Sequence, residues 1–432
     1  PAIIYMIMAI AAVFVLGWLL FALTIQAAWL AGTPWDPDRG LKLSPLANWL
    51  TIVLYAFVPS LLLVAFAGQT LLERETKTHT HQERSKAVTQ PVHRNGQTDP
   101  RIGVGLRLTT VAATMVLCLA FSRTHVHYER ALHYYAQQRD WDAVLTLANQ
   151  MRGKQRFTPC GVFDINRALA HKGRLGNELC AFPQHDIETL FLTFKDLPGR
   201  MKHVKSIELY LDLGCLNAAE KNAYELLAQE GPSPVILEAL VRVHLAKGQY
   251  EPARVAFQAL RRCVGARQYV QRWREIIADP TRAEADPLLQ AWRSVRLTAD
   301  DGSMLGLSTE AMNNLVKTVP RHRLAFEYLM ACHLLRNEQT EIISRLPMLR
   351  SLDYAELPRH YAEALLVYSL KTGKPVDTQG WAIDPNLQQQ LGEIRSVVTR
   401  SGGDDRRAFE ILAPQYGDTY MFYSMFSVCG LK

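Results

Sequence analysis

The sequence predicts an all-α protein: N-terminal transmembrane helices followed by a tetratricopeptide-like α-solenoid of helical hairpins. Three observations carry this. Long charge-free apolar runs are confined to the N-terminal part, and the rest has ordinary soluble composition. From Arg123 onward apolar residues recur at i, i+3, i+4 and i+7, with no clear alternating stretch. Within that region a set of small and apolar positions repeats at one fixed offset, which equals the tetratricopeptide period.

The membrane elements come first. No charged residue occurs from Pro1 to Trp35 or from Leu43 to Leu72. Each run exceeds the ~20 apolar residues a helix needs to cross a bilayer. Spans are expected at about 2–31 and 47–72. A third, at 102–122, needs Arg107 to snorkel toward headgroups, because only Leu108–Ser122 is free of charge. If it lies at the interface instead, the topology inverts. The 73–101 loop carries Arg74, Lys77, Arg84, Lys86, Arg94 and Arg101, whereas the first loop has only Arg39 and Lys42. The positive-inside rule therefore makes the 73–101 loop cytoplasmic and places everything after residue 122 outside the cytoplasm. The chain opens inside an apolar run, so further spans are expected upstream.

Placement also decides the reading of net charge. The formal charge is +7, but basic residues gather in that loop. This fits membrane topology, not a nucleic-acid groove, and no nucleic-acid partner is expected. The expected partners are the lipid bilayer and other protein subunits, themselves embedded in the membrane.

The repeat region is expected over 123–279. The stretch "DLGCLNAAEKNAYEL" holds Gly214, Leu216, Ala219, Ala223 and Leu226, and "AKGQYEPARVAFQAL" holds Gly248, Tyr250, Ala253, Phe257 and Leu260. All five pairs stand at the same offset, the one that separates Gly214 from Gly248. Upstream, Gly173 and Leu175 follow Arg139 and Trp141 by that offset again. The step from Gly173 to Gly214 is longer and reads as the period plus two helical turns. Glycine ends the first helix of each hairpin in a left-handed turn. The next apolar residue packs back on that helix, and a small residue sits where the two helices approach most closely. The repeat-packing positions are thus Trp141, Gly173, Leu175, Gly214, Leu216, Ala219, Gly248, Tyr250, Ala253 and Phe257.

Further hairpins are expected over 280–432, with helices near 309–319, 321–336, 340–350, 357–372 and 387–400. The ending "YGDTYMFYSMFSVCG" is dense in aromatics and suits a helix capping the solenoid's open end.

"RDWDAVLTLANQ", "NRALAHKGRLGNEL", "LYLDLGCLNAAEKNAYELL", "VRVHLAKGQYEPARVAFQALRR" and "YGDTYMFYSMF" occur in the order of a family they resemble. It is an uncharacterised bacterial family of Bacteroidetes-type genomes, a domain-of-unknown-function family of membrane-anchored tetratricopeptide-like proteins. The resemblance covers about residues 125–430. It implies a bacterial inner-membrane protein with hydrophobic spans and a helical-repeat domain, and it carries over no catalytic residue. The extra cysteines and the long basic loop depart from the family pattern.

Candidate chemistry is sparse. Asp36 and Asp38 in "WDPDRG" could share a divalent cation, as in multi-span glycosyltransferases that use lipid-phosphate donors, but Asp-Pro-Asp is also an ordinary turn. Buried free thiols packing as small hydrophobes are the preferred reading of the cysteines; if a disulfide forms outside the cytoplasm, Cys160 and Cys180, which flank one helical hairpin, are the first choice. The cluster of Tyr269, Arg272 and Trp273 reads as helix packing. No catalytic residue, metal or cofactor is expected. The functional expectation is a membrane-anchored scaffold on the periplasmic side. The alternative is the accessory domain of a multi-span enzyme or transporter whose other spans precede residue 1.

Overall fold

Helix starts in this chain are written by cap–proline pairs. Thr158-Pro159, Asp286-Pro287 and Asp384-Pro385 each open a helix, with the cap side chain accepting a backbone N–H of the first turn at 2.9–3.2 Å. Proline is tolerated there because its missing N–H has no helical partner anyway. The structure, a computed structural model, describes residues 124–154, 157–193, 199–297, 306–375 and 377–431. These are helical with no strand; one isolated bridge joins His185 and Ile187. The protein is all-α over the described residues.

The first half contains α1 (Thr124–Gln137), α2 (Trp141–Met151), α3 (Pro159–His171), α4 (Leu175–Glu178), α5 (Glu188–Phe191), α6 (Gly199–Asp212), α7 (Leu216–Glu230), α8 (Pro234–Lys247), α9 (Tyr250–Leu260) and α10 (Arg267–Ala278). Then come α11 (Pro287–Ser294), α12 (Thr309–Thr318), α13 (Arg323–Leu335), α14 (Gln339–Ser351), α15 (Arg359–Thr372), α16 (Pro385–Arg400), α17 (Asp405–Tyr416) and α18 (Tyr420–Phe426). The five helices expected after residue 300 all form, with small shifts at their ends.

Hairpins α6–α7 and α8–α9 pack tightly, and α7 packs on α8. Their turns run through Gly214 at φ +69° and Gly248 at φ +76°, the left-handed region that glycine enters without steric cost. Arg139 holds the matching turn of the first hairpin at φ +59°, so the geometry is retained there despite a side chain. Ala219 and Ala253 are fully buried.

Two expectations need correction. The longer step from Gly173 to Gly214 does not add two helical turns to a regular hairpin. After Gly173 the chain makes only the one-turn α4, a 3-10 turn at Leu179–Ala181 and the one-turn α5. The short α4 is packed closely against the second half: a Cβ on Gly176 would come within 2.8 Å of Tyr361 and 2.9 Å of Pro358. The second correction concerns closure. In an open solenoid each repeat touches only its neighbours. Here α4 packs against both α13 and α15, and α13 also against α3. The aromatic α18 packs on α15 and α17, and the residues after it return to Cys180 through Gly430 N–H to Cys180 C=O at 3.0 Å. Tyr420 and Phe422 are fully buried.

Among the described residues no helix is long and apolar enough to cross a membrane. The spans expected at 2–31, 47–72 and 102–122, the loop 73–101, and Asp36 and Asp38 lie outside the described residues.

Candidate functional site

The largest polar constellation is a ladder of charges on the first helices of successive hairpins. Asp164, Arg167 and His171 share one face of α3, by their i, i+3, i+7 spacing. Lys205, Glu208 and Asp212 do the same on α6, and Glu238 and Arg242 lie one turn apart on α8. The helices stack so that opposite charges meet. Asp212 accepts from Arg167 Nη2 at 2.6 Å, from Arg139 Nη1 at 2.6 Å, and pairs with His171 Nε2 at 2.9 Å. Lys205 Nζ donates to Asp164 at 2.5 Å and lies 3.2 Å from His133 Nδ1. Arg242 bridges Glu208 and Glu238, and Glu238 also accepts from the Trp273 indole N–H at 2.9 Å.

Electrostatics follow from burial and pairing together. Burial alone would raise the Asp212 carboxyl, yet the two guanidinium groups and His171 hold it well below the usual carboxylate range. Asp164, also buried, is brought down to about 2 by Lys205 and His133. At Glu238 burial wins over Arg242 and the pKa rises. Burial likewise lowers His171 against the pull of Asp212. Trp141 stacks on His171 with centroids 4.4 Å apart, between Arg139 and Arg167.

These charges are absorbed by one another. A carboxylate already accepting from two guanidinium groups and an imidazole has little free basicity for general-base work. The ladder therefore ties α3, α6 and α8 together in register. Sequence reasoning missed it, although the signal was present: Arg167, Glu208 and Arg242 follow one another by the same two steps as the turn glycines Gly173, Gly214 and Gly248.

His322 ties this region to the second half. As the residue before α13 it accepts the Ala325 N–H at Nδ1 and meets the Leu213 carbonyl with Nε2 at 3.2 Å. Burial pushes its pKa down to about 4, so the ring is neutral at pH 7 and Nε2 carries the proton.

The exposed chemistry is different in kind. Residues 252–274 contain six arginines and no acidic residue. Arg272 is tied to Asp286 at 2.7 Å and lies over Trp273, which is buried, consistent with a packing role for this cluster. Arg261, Arg267 and Arg274 line one shallow, open depression with Cys263, Val270 and Gln271. These three and Arg262 are exposed and make no ion pair among the described residues.

The remaining sequence-predicted positions can now be placed. Leu175, Leu216 and Phe257 are buried, and Tyr250 is half-buried against the core. Cys160 and Cys180 are not joined; both are free thiols. Cys160, at the start of α3, lies near Lys205, Asp164 and Glu129, and burial raises it to about 11. Cys180 lies beyond α4, where its neighbour is Cys429. Among the described residues no three His, Cys, Asp or Glu side chains are grouped as metal ligands.

No curated protein and no solved structure matches the chain. A model of a family of unknown function, DUF6057, matches residues 2–427. That match takes in the hydrophobic N-terminal part together with the charge ladder and the folded-back C-terminal helices, and the chain belongs to the DUF6057 family.

Proposed function

We propose that this protein is a membrane-anchored helical-repeat scaffold, a structural or assembly subunit that holds other protein subunits of a bacterial inner-membrane complex on the periplasmic side. The charge-free runs before residue 123 and the basic loop between them support the anchoring and the orientation. Hairpins α6–α7 and α8–α9, with left-handed turns at Gly214 and Gly248 one tetratricopeptide period apart, support a tetratricopeptide-like reading of the repeat part.

One observation carries partner binding: the molecule neutralises its charges inside and leaves arginines unpaired outside. Four arginines with no counter-ion among the described residues, around the α9–α10 turn, repel one another in the free protein. An acidic protein surface relieves that repulsion and steers the partner to this face. The partner in this reading is a protein subunit that presents carboxylates.

The test is purification of the full chain from native membranes in mild detergent, beside the triple reversal Arg261→Glu, Arg267→Glu, Arg274→Glu. The native chain is expected to bring down a discrete co-migrating polypeptide, and the reversal to lower its recovery at least about tenfold. Recovery of the chain alone at several detergent strengths sinks the scaffold reading. Undiminished recovery with the triple reversal sinks the arginine face.

A further inference from the structure

The C-terminal tail ends its course against the turn that follows α4. Cys180 and Cys429 are both buried there, 0% and 1% exposed, and Cys429 is a neighbour of the Cys180 thiol. Two contacts join the segments, Gly430 N–H to the Cys180 carbonyl at 3.0 Å and Cys429 Sγ to the Phe182 carbonyl at 3.4 Å, and Leu431 N–H reaches the Gly417 carbonyl at 3.4 Å beyond them. The approach is so close that a Cβ at position 430 would meet the Pro183 nitrogen at 2.2 Å, and Gly430 sits at φ +70°. Both side-chain volume and backbone conformation thus require glycine beside Cys429.

We propose that Cys180 and Cys429 are a redox pair that closes into a disulfide and staples the C-terminal tail to the α4 turn. This inference is independent of the scaffold reading. Disulfide formation needs two cysteines whose backbones lie side by side before the bond forms, and the hydrogen bond between residues 430 and 180 supplies that. Among the other described cysteines, the thiols of Cys215 and Cys263 face the carbonyls of Leu213 and Ala259, and that of Cys332 faces Thr309. Cys160, the partner expected from sequence, is at the opposite end of α3 from the α4 turn.

The oxidant is a second disulfide, either glutathione disulfide or the active-site disulfide of a thiol oxidoreductase. One cysteine loses its proton and attacks an oxidant sulfur, forming a mixed disulfide and releasing one thiol. The other cysteine then attacks the mixed disulfide at the protein sulfur, and the second oxidant thiol leaves. Two protein thiols are oxidised and one disulfide is reduced to two thiols. Cys429 is the one that meets the oxidant first. It lies on the short tail after α18, flanked by Val428 and Leu431, which are 39% and 43% exposed. A segment held by so few bonds opens locally at low cost. Burial keeps the Cys180 thiol protonated while the tail is docked, so the staple closes as the tail settles and is slow to reopen.

The experiment uses the full chain in detergent with glutathione disulfide as the probe, followed by denaturation, alkylation of free thiols and peptide mass mapping. The expected product is a Cys180–Cys429 cross-linked peptide that a reductant dissolves. Hydrogen exchange of the Gly430 amide should be at least about tenfold slower in the oxidised protein than in the reduced one, because a cross-link removes the locally opened state. Full alkylation of both thiols after oxidation overturns the proposal, as does a cross-link of either cysteine to Cys160 or to any other partner. Gly430 exchange that Cys429→Ser leaves as slow as in the oxidised protein also overturns it, because the segment would then be held without the bond.

Discussion

Two buried carboxyl groups, one in each half of the described region, are handled in opposite ways. In the first half Asp212 lies among Arg139, Arg167 and His171 and stays ionised. In the second half Glu327 on α13 is equally buried, but its closest partners are the Tyr354 hydroxyl and the Gly176 N–H. Its nearest cation, Arg323, lies over the Tyr354 ring with 4.3 Å between guanidinium and centroid. Burial pushes Glu327 up to about 7, against the pull of its hydrogen bonds. Burial is common to both, so the difference comes from charge matching. Where a carboxylate meets its cations across neighbouring helices, it sets their register. Where only neutral donors are present, the carboxyl holds a proton instead.

The largest expected effect breaks the matched side. Asp212→Ala leaves two guanidinium groups without their carboxylate, a change that costs about 3–5 kcal/mol. Asp212→Asn should fall in the same range, because the amide keeps shape and loses charge. The pH dependence runs one way: Asp212 is depressed in the folded state, so its contribution is present above the unfolded value of ~3.9 and is lost as pH falls toward its folded value. Urea unfolding midpoints at pH 7 measure the cost. A loss below about 1 kcal/mol for both variants would mean that the ladder is decoration.

The unmatched side has the opposite sign. Glu327 is raised in the folded state, so the fold binds its proton more tightly than the unfolded chain does. Stability from this group is full below the unfolded value of ~4.3 and declines as pH rises through about 7. Glu327→Gln keeps the size and the acceptor and removes the titration. Its unfolding free energy relative to the native protein should rise by roughly 2–3 kcal/mol between pH 4.5 and pH 8. A difference that stays constant with pH would show that Arg323 neutralises Glu327 after all.

The same contrast explains what the sequence made legible. The first-half hairpins share one period, and every hairpin must solve the same packing problem, so glycine, leucine and alanine recur in register. The charges recur in that register too, but acidic and basic residues on a helix read by default as a solvated face, and only the stacking of α3, α6 and α8 turns that face inward. Closure left no trace of this kind. Gly176 meets Glu327 across 151 positions and Cys429 meets Phe182 across 247, and such pairs obey no period. The neighbour of Cys180 was hidden for the same reason. Cys160 and Cys180 are near in sequence, whereas the neighbour of Cys180 arrives from the far end of the chain.

The smallest effect sharpens the comparison within the repeats themselves. Gly214 and Gly248 occupy equivalent turns with φ of +69° and +76°, so sequence and dihedral angle alone make Gly→Ala equal at both. Their surroundings differ. A Cβ at Gly248 meets nothing within 4 Å, whereas at Gly214 it would lie 2.2 Å from the Val295 carbonyl oxygen. That crossing is where the chain after α11 returns, with Leu297 N–H donating to the Gly214 carbonyl at 3.2 Å. Gly248→Ala should therefore cost only the left-handed penalty of about 1 kcal/mol, a strain that Arg139 already tolerates at φ +59° in its own turn. Gly214→Ala adds a backbone collision that no rotamer relieves, and should cost at least about 1–2 kcal/mol more. Thermal unfolding of the two variants side by side measures the gap. Equal losses would mean that the segment after α11 does not rest on the α6–α7 turn, and that the repeat turns differ in sequence position alone.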